Sequence, residues 1–181
     1  MKRLGLVMLA MALCVVAARP VVAQGNLRYG VSAGVLMPLG NYNTQDKMGF
    51  VGGVGATYWL AGQPIGIRGD LSYSQSSHDV GPVGNTKIMG GMASVVYALN
   101  PASAPARIML TGGLGFYNVK ATLGTASGSQ SKIGFGGGAA VAFKLGTGST
   151  RLVVGTRYTS VSTTNSSIAF LPITVGLTFG K

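Results

Sequence analysis

The sequence predicts an all-β fold: an eight-stranded antiparallel up-and-down transmembrane β-barrel, preceded by a cleavable signal peptide. Three observations predict it. Apolar residues recur with a period of two over eight separate segments. The charges in those segments fall almost wholly on the opposite parity. The aromatics of the apolar parity gather near segment ends, where a bilayer has its two interfaces.

The N-terminal residues set the compartment. Met1-Lys2-Arg3 is basic, Leu4 to Ala18 is uncharged, and Val21-Val22-Ala23 places small or modest residues before Gln24. That order is a secretory leader. Its 15 uncharged residues fall short of the about 20 that a helical span requires. Residues 1–23 therefore read as a signal peptide and 24–181 as one outer-membrane barrel domain. Cys14 follows Leu13, not the small residue of a lipoprotein signal, so it departs with the leader. Charged residues are 9% of the chain, against ~25% in ordinary domains. Glu is absent, the acids are Asp46, Asp70 and Asp79, and His78 is the lone histidine.

The strands follow in order. Leu27, Tyr29, Val31, Ala33, Val35 and Met37 alternate with Arg28, Gly30, Ser32 and Gly34. Met48, Phe50, Val54, Ala56, Tyr58 and Leu60 share a second face with Gly52. In the third segment Ile65, Ile67, Leu71 and Tyr73 oppose Gly66, Arg68, Asp70, Ser72 and Ser74. The fourth is less clean: Met89, Ala93, Val95, Tyr97 and Leu99 face one way, and Ile88, Met92 and Val96 the other. Ile108, Leu110, Leu114 and Phe116 form the fifth. In the sixth, Ile133, Phe135, Ala139, Val141 and Phe143 oppose Lys132, Gly134, Gly136, Gly138 and Lys144. Leu152, Val154, Thr156 and Tyr158 oppose Gly155 and Arg157 in the seventh. The eighth sets Leu171, Ile173, Val175, Leu177 and Phe179 against Pro172, Thr174, Gly176 and Thr178. Strands of roughly 9 to 13 residues suit a tilted crossing, and an even number closes without a free edge in lipid.

Alternation alone leaves open which face is outside. A charge at mid-bilayer costs about 2 to 4 kcal/mol for Arg or Lys, and the apolar parity carries only Lys87, at a segment end. Tyr29, Tyr58, Tyr97, Phe143 and Phe179 fall at one end, Phe50, Tyr73, Phe116, Phe135 and Tyr158 at the other. Connections alternate too. Residues 61–64, 100–105 and 146–150 read as short periplasmic turns, and 38–47, 75–86, 120–131 and 159–167 as longer outer loops. The apolar face is expected outside.

Ile67-Arg68-Gly69-Asp70-Leu71, Gly112-Gly113-Leu114-Gly115-Phe116 and the closing Leu171-Pro172-Ile173-Thr174-Val175-Gly176-Leu177-Thr178-Phe179 carry a resemblance. The chain resembles the small eight-stranded outer-membrane β-barrel family typified by the OmpA barrel, OmpX and Ail. The resemblance implies the outer membrane of a diderm (Gram-negative-type) bacterium. It also implies escort by periplasmic chaperones and a terminal signal, Gly176, Leu177 and Phe179, read by the barrel-assembly machinery. Family members often pair a lumen Arg with a Glu on the seventh strand; here Gly155 stands there and Arg157 remains.

Catalysis is not expected. General-base chemistry needs His, Glu, Asp or an equivalent, and His78-Asp79 beside Ser76 and Ser77 is the only adjacent pair. No cluster of metal-ligand spacing exists, and no cofactor is expected. Gly52-Gly53-Val54-Gly55 and Gly136-Gly137-Gly138 lack the pattern and the following helix of a phosphate loop, so they read as space-saving in a curved wall. Without the leader, eleven Lys and Arg face three Asp. Lys47, Lys87, Lys120 and Lys132 are expected at the outer rim, binding lipopolysaccharide phosphates or an anionic extracellular partner; nucleic acid is not. Arg68, Asp70 and Arg157 are expected to form a polar lumen network centred on Asp70, the sole lumen acid. The expected function is a non-enzymatic structural or surface-interaction barrel acting through its outer loops, with a narrow anion channel as the alternative.

Overall fold

The computed structural model describes residues 26–40, 46–77, 84–124, 126–162 and 167–180. The leader 1–23 with Cys14, and the His78-Asp79 pair, lie outside the described residues. Eight strands run β1 Asn26–Leu39, β2 Gly49–Trp59, β3 Ile65–Ser77, β4 Gly84–Ala98, β5 Ala106–Leu123, β6 Ala126–Lys144, β7 Arg151–Ser162 and β8 Ser167–Phe179. Each pairs antiparallel with the next, and β8 returns to β1 to close the barrel.

Closure fixes the geometry. Cross-strand partners traced from Tyr29 run through Ala56, Gly69, Ala93, Leu114, Phe135, Ser160 and Ala169. The path meets β1 again at Leu39, ten residues on. A stagger of ten over eight strands sets a tilt of about 40°, from a rise of about 3.3 Å per residue and about 4.8 Å between strands. A barrel this narrow has room for side chains and little else.

The period of two sorts every strand. Phe116 is 70% exposed and Leu71 60%, whereas Tyr117 and Ser74 are each 4% exposed. Exposed large apolar side chains line the outside of all eight strands; such a surface demands a nonaqueous neighbour. Phe50 and Tyr73 meet at 6.1 Å between ring centroids in the outer aromatic band, and Tyr29 sits opposite Phe179 in the inner one.

Two expectations about length are corrected. The strands span 11 to 19 residues, because backbone pairing continues past the apolar stretch. The segment 120–131 is no loop: Leu123 pairs with Ala126, and Gly124 takes the turn at φ +56°. Polar residues such as Ser127, Ser129 and Gln130 hid the strand, since alternation of polar with polar leaves no hydrophobic period. The 60–64 turn has Gly62 at φ +69° and a Leu60 N–H donating to Ile65 O at 3.0 Å. Asn100 braces 99–105, donating from Nδ2 to Ala106 O at 2.6 Å and accepting from Ile108 N–H at 2.8 Å.

Candidate functional site

The inward residues form layers along the barrel. Toward the hairpin end, Leu36, Val51, Ile88, Tyr117, Val161 and Phe170 make an apolar cluster, each 8% exposed or less. The Tyr117 ring lies edge-on to Phe170, with centroids 6.1 Å apart, and its hydroxyl approaches Met92 Sδ at 3.6 Å. Gly90 stands directly opposite Tyr117, and a Cβ there would collide with the ring. Glycine makes room for the aromatic within the bore.

Below this cluster lies the ionic layer. Asp70 accepts from Arg68 Nε at 2.8 and 3.0 Å, and Arg68 Nη2 lies 2.7 Å from Oδ1. From β7 on the far wall, Arg157 Nη2 reaches Asp70 Oδ2 at 3.2 Å, and its Nη1 approaches Met92 Sδ at 3.1 Å. Alternation places Arg68 and Asp70 on one face of β3, and the bidentate geometry suits a carboxylate shared by two guanidinium groups. Gly55 beside them leaves the space that the Asp70 carboxylate occupies. The β7–β8 register is recorded from Arg151 to Thr156 and again from Thr159 to Ser162, with Pro172 opposite the gap; proline has no N–H for the ladder.

Asp70 is not the sole inward acid, as the sequence had led us to expect. Asp46 is 3% exposed, accepting from Ser76 Oγ at 2.9 Å and Thr86 Oγ1 at 3.2 Å. Those hydroxyls belong to the inward parity of β3 and β4, so Asp46 folds in over the outer mouth. Its position in a connection hid this, because no strand period reaches it.

The turn end carries residues that sequence reasoning passed over. Arg107 stacks its guanidinium carbon 3.8 Å from the Trp59 ring centroid. Arg151 donates from Nη2 to Ala102 O at 2.6 Å, and from Nη1 to Ala104 O and Ala142 O at 3.4 Å. Arg28 donates to Ser149 O at 3.0 Å. Their parity was the available signal: Arg107 precedes outward Ile108, and Arg151 precedes Leu152.

The rim lysines group at the hairpin end. Lys87 and Lys120 are direct cross-strand partners on the outward parity. Lys132 lies opposite Tyr117 on the inward parity of β6, and the Lys47 N–H bonds Ser77 O at 2.8 Å. Of the terminal segment, Gly176, Leu177 and Phe179 lie against Ser32, Val31 and Tyr29 at the closing seam.

The fold has clear relatives among solved structures. Neisserial surface protein A is 17% identical, with 88% of this chain and 98% of that one covered at a TM-score of 0.63. OprG from Pseudomonas aeruginosa is 12% identical, with coverage of 87% and 96% and a TM-score of 0.57. Ail of Yersinia pestis, solved with the heparin analogue sucrose octasulfate, is 16% identical, covering 86% and 97% at 0.53. No curated protein matches the chain by sequence. The model of the outer membrane protein beta-barrel domain matches residues 6–179, and with the closed eight-stranded architecture this makes the chain a member of the outer-membrane β-barrel family.

Proposed function

We propose that this protein is a non-enzymatic outer-membrane barrel whose lumen is a structural plug and whose outer end carries its interactions. The observation that carries the reading is the filled bore: six apolar side chains exposed by 8% or less lie above a paired ionic layer. The void left along the lumen is about 180 Å³. Interaction then falls to the outer end, where Lys47, Lys87 and Lys120 face lipopolysaccharide phosphates or an anionic extracellular partner, while Lys132, on the inward parity opposite Tyr117, adds positive charge at the mouth. Lys87 directly opposite Lys120 supports this, since like charges in a cross-strand pair repel and a shared phosphate relieves them. Gly176, Leu177 and Phe179 at the seam are the proposed contact for the assembly machinery. No cofactor enters this reading.

Charge reversal of Lys47, Lys87 and Lys120 to Glu is the direct test. The folded variant is expected to retain several-fold less lipopolysaccharide through purification than the wild type; equal retention would sink the lipid contact. A narrow anion channel is the second reading, favoured by the arginine-lined turn end. In planar bilayers the wild type is expected to be silent, and discrete anion-selective steps would promote the channel above the plug.

A further inference from the structure

We infer that the turn end of the lumen is a binding site for a compact oxyanion of the inorganic phosphate class, held by Arg28, Arg107 and Arg151. These residues come from β1, β5 and β7, line one cavity and lie close enough to repel one another. Among the described residues no acid answers them. Asp70 is engaged by Arg68 and Arg157, and Asp46 sits at the opposite mouth with Ser76 and Thr86.

The donors are held in advance of any ligand. Arg107 is 8% exposed and Arg151 7%; Trp59 fixes one guanidinium and the turn carbonyls of Ala102 and Ala104 fix the other. Arg107 Nε is buried with no hydrogen-bond partner among the described residues. A buried cationic donor left unpaired is costly, and a phosphate oxygen satisfies both its hydrogen bond and its charge. Carbonyls alone supply no negative charge to offset three guanidinium groups. The inward parity separates these groups from lipid headgroups by the barrel wall, so the anion arrives from the aqueous side.

Trp59 is the only tryptophan of the chain, and it reports on the site. In the folded protein in micelles, inorganic phosphate at constant ionic strength is expected to change its emission saturably, with matched chloride producing no such change. Calorimetry, which does not depend on that reporter, is expected to show at least tenfold weaker phosphate binding for Arg107→Gln and for Arg28→Gln. Arg28→Gln removes one bond to a turn carbonyl and keeps the test sound should Arg107→Gln lose heat-modifiable migration. Thr178→Glu, opposite Arg151, supplies an internal carboxylate and is expected to abolish the phosphate response. A wild type that answers phosphate no more than chloride overturns the site. So does an Arg28→Gln variant that folds and binds phosphate with undiminished affinity.

Discussion

Asp70→Ala is expected to destabilise the barrel by about 3 kcal/mol, the scale of removing one partner from a buried ion pair. The loss exceeds that of one hydrogen bond because two cations are stranded. Arg68 and Arg157 both end on this carboxylate, and their side chains retain only 25% and 23% exposure. The urea midpoint, read from the folded band on unheated gels, should fall markedly. Asp70→Asn, which keeps the shape and one acceptor but loses the charge, should fall between wild type and Ala. Replacing all three residues by apolar ones of similar volume should restore most of the loss, since isosteric apolar packing substitutes well for a buried ionic group. An Asp70→Ala midpoint equal to that of wild type would show that the layer contributes nothing to stability.

The second large effect is expected at Tyr117. Truncating it to Ala removes a ring that packs on Phe170, covers Gly90 and reaches Met92. The cost is about 3 to 5 kcal/mol, as for other buried aromatics cut to Ala. Pairing it with Phe170→Ala removes both aromatic members of the apolar cluster. A barrel that is silent as wild type should then conduct in discrete steps, with the ionic layer below setting selectivity. A double variant that folds, migrates heat-modifiably and stays silent would place the block elsewhere, at the ionic layer or under Asp46.

The outward and inward faces were both legible because β structure has a period of two, and any strand with one apolar face advertises it. Even the irregular β4 was read correctly by residue: Ile88, Met92 and Val96 do turn inward. What they do there was not legible. A lumen-facing apolar residue looks like a flaw in the pattern until Tyr117 and Phe170 from other strands close over it. The same holds for Arg107 and Arg151. Each is an inward cation whose neighbours at that level lie on other strands, and only the stagger of ten residues brings them to the level of Arg28 and Trp59.

The sequence by itself determined the barrel, its strand count, its apolar exterior and the inward parity of Arg68, Asp70 and Arg157, since each follows from local alternation along one strand. Tertiary structure alone decided how Arg68 and Arg157 share the two oxygens of Asp70, that Asp46 turns in over the mouth, and that three arginines share the turn end. Those are distances across a closed bore. The physical reason is that registers between strands, and the ring they close, depend on all eight strands at once.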